Sequence, residues 1–209
     1  LKYKTENKCL EFLFSKTDIE NFVDNLPFKL TKSQYKTSYE ILDDLMKEYP
    51  MKRLLQGDVG SGKTVVASVA IYAAYISGYQ VALMAPTEVL AEQHFNSIKI
   101  FLNNYDLPIN HLTSSIKDRE SILKNIENGT PGLIIGTHAL IQEKIQFTNL
   151  GLAIIDEQQR FGVEQRKKLI NQNGVIPDQL IMTATPIPRT TALSIYGDLE
   201  ISSILSLIH

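Results

Sequence analysis

Apolar and polar residues alternate along the chain in blocks that predict strands and helices in turn. Short apolar runs predict six strands, at residues 52–56, 81–85, 109–113, 133–136, 152–155 and 179–183. Apolar residues at three- and four-residue spacing predict helices at residues 31–49, 63–77, 88–102, 117–128 and 189–196. Strands that are apolar throughout are buried on both faces. The pattern therefore predicts an α/β fold with a mostly parallel, doubly wound sheet and helices on both faces.

Composition narrows the class of protein. The 209 residues are 44% hydrophobic and 21% charged, which excludes disordered and fibrous classes. Cys9 is the single cysteine, so an internal disulfide and a cysteine-based zinc site are excluded. No apolar run reaches the roughly 18 residues of a membrane-spanning helix, and no secretory leader is recognisable, so we expect a cytoplasmic protein. The formal net charge of −2 argues, by itself, against a nucleic-acid binder.

The strongest chemical signal follows the first predicted strand. Its glycines let the backbone turn successive N–H groups toward phosphate oxygens, and the next helix directs its positive end at the same point. Lys63 is expected to neutralise the β- and γ-phosphates of ATP, and Thr64 to bind Mg²⁺ through its hydroxyl. The predicted nucleotide-binding residues are Gly57, Asp58, Val59, Gly60, Ser61, Gly62, Lys63 and Thr64.

Two adjacent carboxylates, Asp156 and Glu157, end another apolar strand. Such a placement is costly unless a cation or a reaction uses the charges. In P-loop nucleotide hydrolases the first acid binds Mg²⁺. The second is then available to orient and deprotonate the attacking water. We therefore predict that Asp156 binds Mg²⁺ and that the catalytic residues are Asp156, Glu157 and Lys63.

Three further strand ends carry groups that could contact a phosphate backbone. Taken singly, each has a simpler interpretation as a helix cap, a surface histidine or a hydrogen-bonded turn. His94 is expected to lie on a helix face rather than to act as a ligand. The residues at these three ends are Thr87, then Thr137 with His138, and then Thr183 with Thr185.

Six blocks, taken together and in order, resemble the first motor domain of RecG-type DNA helicases, which belong to superfamily two. They read LPFKLTKSQ, QGDVGSGKT, APTEVLAEQH, GTHALIQ, IIDEQQRFGVEQR and MTATPIPRTTALSIYGDL. The resemblance covers residues 26–204. It implies a RecA-like ATP-binding domain over residues 26–209, preceded at residues 1–25 by a lead-in from an upstream domain.

The resemblance also implies an activity and its residues. The chain is expected to couple Mg-ATP hydrolysis to movement on branched DNA, such as stalled forks and Holliday junctions, in recombination and repair. Gln34 would read the adenine edge, with Phe28 nearby. One DNA strand would be tracked by Thr87, Thr137 and His138. The γ-phosphate would be linked to the DNA side by Gln159, Thr183 and Thr185.

The partners implied are DNA and two further domains of the same chain, a second RecA-like domain and a wedge domain. We expect a monomer without membrane contact, in a bacterial cytoplasm and associated with the nucleoid. The net charge of −2 is then that of one domain of a larger protein. This domain would contact a few DNA phosphates through backbone N–H groups, hydroxyls and scattered cations. These cations include Arg160, Arg166, Lys167 and Lys168, of which the last three equally suit a solvated helix face.

Two alternatives remain at this stage. One is a module that holds ATP as a switch without moving DNA, which Glu157 disfavours because a switch needs no water-activating acid. The other is a transcription-repair coupling translocase, which the Asp-Glu-Gln box and the LPFKLTKSQ block disfavour. The isolated 209-residue chain is expected to bind ATP weakly, hydrolyse it very slowly and leave DNA unwound.

One residue departs from the family pattern. The acidic box of RecG-type helicases reads Asp-Glu-Gln-His, whereas Gln159 stands here at the fourth position. Glutamine can donate and accept hydrogen bonds but cannot become a cation. We predict that Gln159→His in the full-length enzyme leaves nucleotide affinity nearly unchanged and alters the stimulation of ATP hydrolysis by DNA. Equal stimulation in titrations of both enzymes with DNA would show that this position does not affect coupling.

Overall fold

Helices and strands alternate along the part of the chain that the computed structural model describes, residues 10–113, 119–142, 145–157, 161, 168–170, 175–185 and 199–204. The helices are α1 Lys16–Asp24, α2 Lys32–Leu45, α3 Lys63–Ile76, α4 Glu88–Phe101 and α5 Arg119–Glu127, with a short 3₁₀ helix at His138–Ile141. The strands are β1 Lys52–Gln56, β2 Gln80–Met84, β3 Ile109–Leu112, β4 Gly132–Gly136, β5 Leu150–Asp156, β6 Asp178–Thr183 and β7 Glu200–Ser203.

The described strands form one sheet in the order β3-β4-β2-β5-β6-β1-β7, and all of their pairings are parallel. This confirms the predicted α/β fold. Strands β5, β6 and β1 lie side by side, and the register pairs Gln56 with Thr183 and Asp156 with Met182. Strand β2 lies between β4 and β5. The segments that follow these strands therefore meet along one edge of the sheet.

Apolar layers cover both faces of the sheet. Leu83 and Ile135 belong to the cluster formed with α1 to α4, whereas their neighbours Met84 and Ile134 belong to the cluster formed with α5. Consecutive residues of one strand thus reach both layers, which explains why the strands are apolar throughout. Helix α3 has ten buried residues out of fourteen, because α1 and α2 pack over it. Among the described helices, none has the length and apolarity needed to cross a membrane.

Most predicted elements are confirmed to within two residues, and one helix is shorter than predicted. Helix α2 ends at Leu45, not near Tyr49, and Met46 is its C-cap. Met46 continues the apolar spacing of the helix, but its side chain is more than half exposed. Its burial therefore does not stabilise a further helical turn. The predicted helix at 189–196 lies outside the described residues.

Two elements, α1 and β7, were not predicted. Helix α1 begins with a capping box, in which Ser15 Oγ accepts from the Asp18 N–H and Asp18 accepts from the Ser15 N–H. Its Ile19 and Phe22 are buried in the main core. Strand β7 pairs with β1 at the sheet edge. Residues 10–24 therefore pack on the same core as the rest of the domain.

We predict that Phe22→Ala lowers the free energy of unfolding by about 3–5 kcal/mol. Phe22 is fully buried, and its ring stacks on Tyr72 at 4.7 Å and meets the tilted ring of Tyr105 at 5.5 Å. Thr17→Ala, on an exposed position of the same helix, is the control and should cost about 0.5 kcal/mol or less. Urea denaturation of both variants measures the difference. Equal losses would mean that α1 is not part of this core.

Candidate active site

The loop between β1 and α3 curls back on itself beneath the end of β6. The Gly57 N–H donates to the Thr183 carbonyl at 3.2 Å, and the Ser61 N–H donates to the Asp58 carbonyl at 3.1 Å. Gly60 and Gly62 have φ angles of 81° and 90°, in the left-handed region that favours glycine. Gly62 is also the N-cap of α3. The loop is thus wound around the positive end of that helix.

Lys63 directs its ammonium group into this loop. Its Nζ donates to the carbonyls of Gly57 at 2.6 Å and Asp58 at 3.0 Å. Burial lowers the pKa of the Lys63 ammonium, and nearby carboxylates, of which Asp156 contributes most, oppose that shift. The ammonium group of Lys63 is therefore held inside the ring of loop atoms. Thr64 is the next residue, in the first turn of α3.

Gln34 connects helix α2 to the same loop. Its Oε1 accepts from the Thr31 N–H at 2.9 Å, and its Nε2 donates to the Ser61 carbonyl at 2.9 Å. A primary amide has two N–H groups and two lone pairs, so each side of the amide keeps capacity for one more hydrogen bond. Phe28, which the sequence places near Gln34, packs edge-on against Phe101 of α4.

The two carboxylates at the end of β5 have different surroundings. Asp156 is the last residue of the strand and is buried. Glu157 has a φ of 49° and is the one non-glycine residue with positive φ in the described ranges. Such backbone costs of order 1 kcal/mol or more and persists only where neighbouring contacts hold it. Those contacts come from β6, because the Glu157 N–H donates to the Met182 carbonyl at 2.9 Å.

The Thr183–Thr185 segment holds the Glu157 side chain. The Ala184 N–H donates to Glu157 Oε1 at 2.8 Å, and Thr183 Oγ1 donates to Oε2 at 3.4 Å. The two threonine hydroxyls lie 3.0 Å apart, and the Thr185 N–H donates to Thr183 Oγ1 at 3.2 Å. The simpler interpretation, a hydrogen-bonded turn, therefore describes the segment correctly, and the same turn contacts the predicted catalytic base.

His94 contacts the site through Asp156, a contact that the sequence did not predict. It lies on a face of α4, as expected, but its Nε2 is 2.8 Å from Asp156 Oδ2. No local pattern signals this contact, because the two residues are 62 positions apart and meet only when α4 packs beside β5.

These groups surround one cleft of about 440 Å³. In the loop beside the cleft, the Oγ of Ser61 is buried without a hydrogen-bond partner among the described residues. No cluster of three His, Cys, Asp or Glu side chains occurs in the described ranges. Mg²⁺ binds through one or two carboxylates together with phosphate oxygens, and Asp156 and Thr64 both line the cleft. The lining residues are Val59, Gly60, Lys63, Thr64, Leu90, Gln93, His94, Ser97, Asp156, Glu157, Met182, Ala184 and Thr185.

The residues predicted to track DNA lie together beyond the ends of β2 and β4. Thr87 is exposed and caps α4, with its Oγ1 accepting from the Leu90 N–H at 3.3 Å. Thr137 is buried and donates its hydroxyl to Glu88 at 3.0 Å. His138 is exposed at the start of the 3₁₀ helix. Thr87 and His138 thus face solvent, whereas the Thr137 hydroxyl is engaged with Glu88.

The family model for DEAD/DEAH box helicases matches residues 31–193. The chain belongs to the DEAD/DEAH box helicase family. The matched span includes both the loop at 57–64 and the carboxylate pair that form the cleft. Gln159, Arg160, Arg166 and Lys167, singled out in the sequence, lie outside the described residues.

Among helicases of this family, the chain is similar to RecG proteins. It is 51% identical over 193 residues to the ATP-dependent DNA helicase RecG of Bacillus subtilis, covering 91% of this chain and 28% of that protein. A structure of RecG bound to a three-way DNA junction matches with a TM-score of 0.80 and 42% identity, over 95% of this chain and 27% of that one. A DEAD box protein from Methanococcus jannaschii shares the fold alone, with a TM-score of 0.65 and 21% identity over 92% and 55% of the two chains. The helicase chain therefore spans less than a third of the RecG relative.

We predict that Gly62→Ala destabilises this helicase domain more than Gly60→Ala. Both positions have left-handed backbone, but a Cβ at residue 62 would lie 2.2 Å from Gln34 Nε2, whereas one at residue 60 meets nothing within 4 Å. Thermal denaturation measures the two losses. In a Gln34→Ala background the excess cost at residue 62 should shrink, and an unchanged excess would contradict the proposed clash with the amide.

Proposed function

We propose that the chain is the ATP-hydrolysing motor domain of a RecG-type helicase that couples Mg-ATP hydrolysis to movement on branched DNA. The observation that carries this is the meeting of three segments at one sheet edge. The loop after β1 surrounds Lys63, the acid pair ends β5, and the Thr183–Thr185 turn after β6 holds Glu157. A binding module needs the first segment, whereas hydrolysis coupled to work needs all three.

Nucleotide binding rests on the loop and on Gln34. The loop N–H groups, the Ser61 hydroxyl and Lys63 would bind the phosphates, with the positive end of α3 behind them. The remaining N–H and lone pair of the Gln34 amide match the donor and acceptor of an adenine edge. Thr64 and Asp156 would hold Mg²⁺, which when bound neutralises charge on the phosphate oxygens.

Hydrolysis requires that water be oriented and deprotonated next to the γ-phosphate. Glu157 is the group that we assign to this task, because its carboxylate lines the cleft beside Lys63 and Asp156. Its hydrogen bonds to the Ala184 N–H and Thr183 hydroxyl limit its rotation. Lys63 supplies positive charge where negative charge increases during transfer.

The proposal also includes the coupling of ATP hydrolysis to movement on DNA. The segments at Thr87 and His138 follow β2 and β4 and leave the same edge of the sheet as the turn that contacts Glu157. The similar RecG structure is of a protein bound to a three-way DNA junction. We also propose, as the resemblance of the sequence motifs implies, that a second RecA-like domain and a wedge domain of the same chain complete the motor. The site of action that we propose is the bacterial cytoplasm, in association with the nucleoid.

The proposal predicts that the full-length protein hydrolyses ATP fastest with forked DNA, more slowly with single-stranded DNA and slowest without DNA. Glu157→Gln should lower turnover by at least about 100-fold and keep ATP affinity, because general base catalysis contributes that much. Glu48→Gln, an exposed glutamate away from the cleft, is the matched control for loss of one charge.

Each alternative gives a distinct result in this assay. Turnover that DNA does not affect, and that Glu157→Gln leaves unchanged, would favour an ATP-binding switch. DNA-stimulated turnover without separation of forked strands would favour a translocase.

A further inference from the structure

His94 reaches the cleft from helix α4, which is not part of the sequence motifs assigned to nucleotide binding. Its imidazole Nε2 lies 2.8 Å from Asp156 Oδ2, and the two side chains are only 11% and 9% exposed. Since an ionised carboxylate can only accept, the Nε2 atom is the donor. A short hydrogen bond with little access for water fixes the rotation of a carboxylate far better than a solvated one.

The carboxylate that His94 contacts is the residue assigned to Mg²⁺. Carboxylates that bind metals are themselves hydrogen-bonded in proteins, and these outer contacts tune metal affinity. His94 engages Oδ2, so Oδ1 is the oxygen that we assign to the cation. Fixing one oxygen in this way presents the other in a constant direction.

Helix α4 connects the contact between His94 and Asp156 to the segments that follow β2 and β4. Thr87 caps the helix and Glu88, its first residue, accepts from Thr137. His94 follows six residues later, about 9 Å along the axis at 1.5 Å per residue. A rigid helix therefore joins the proposed DNA-facing residues to Asp156, and a displacement of its N-terminus would move the imidazole.

We propose that His94 is a positioning residue that orients Asp156 for Mg²⁺. The proposal rests on the function proposed above and assigns a residue to the metal site beyond the loop and the acid pair. In this role His94 is not a ligand of the cation and acts on it through the carboxylate of Asp156.

Two amide substitutions test this with matched chemistry. In His94→Gln the side-chain nitrogen can reach the place of Nε2 and donate to Asp156, whereas in His94→Asn it is one methylene too short. Asn96→Ala, at an exposed position on the same helix, is the control for changes in α4 itself. Binding of a fluorescent ATP analogue to the chain is titrated with Mg²⁺ and, separately, measured with EDTA.

We expect His94→Asn to raise the Mg²⁺ concentration that half-maximally tightens nucleotide binding by about tenfold or more, the effect typical of contacts behind a metal ligand. Affinity in EDTA should stay unchanged. His94→Gln should restore most of the Mg²⁺ dependence, and Asn96→Ala should match the wild type. A merely structural role would instead weaken binding equally with and without Mg²⁺.

The outcomes separate this inference from the proposed function. A wild-type chain whose nucleotide binding ignores Mg²⁺ would overturn the proposed function. A wild type that responds to Mg²⁺, together with a His94→Asn variant that responds identically or that loses affinity equally in EDTA, would overturn the role of His94 alone.

Discussion

The parallel register of β5, β6 and β1 is the constraint on which the rest of the site depends. It pairs Asp156 with Met182 and Gln56 with Thr183, so the three strands end at the same level. Backbone hydrogen bonds then continue beyond the sheet, from Gly57 to Thr183 and from Glu157 to Met182. A shift of one residue in any of these strands would separate the loop, the acids and the threonine turn, because each segment starts from the last paired residue.

Glu157 shows how this register supports chemistry. Its left-handed backbone is unfavourable for a residue with a Cβ, by of order 1 kcal/mol or more. Three hydrogen bonds from β6 and the turn after it compensate, two of them to the carboxylate itself. The strained turn brings the acid out of the strand direction and toward the cleft. A displacement of the threonine turn would therefore move the acid, and this contact supports the proposed link between hydrolysis and motion.

The sequence predicted the elements of the site better than their contacts, for a physical reason. The phosphate-binding loop and the acid pair are runs of adjacent residues whose chemistry follows from local order. The contact of His94 with Asp156 and that of Gln34 with Ser61 join residues far apart in the chain, and each depends on how a helix packs. Helix α1 escaped prediction because its nine residues carry only two buried apolar side chains, Ile19 and Phe22, although its capping box was readable.

Net charge, which first argued against nucleic acid, measures little in a domain of this kind. The Arg53 guanidinium is buried and donates to Asp44 at 2.6 Å and to the Ser202 hydroxyl at 2.6 Å, joining α2 to β1 and β7. Lys63 is likewise committed to the nucleotide loop. Charges of this sort are engaged within the domain and are not available to a distant phosphate backbone. Thr87, at the strand edge where we propose contact with DNA, is uncharged and exposed, and its hydroxyl retains a donor after capping α4. The overall balance of acids and bases therefore says more about how this domain is held together than about what it binds.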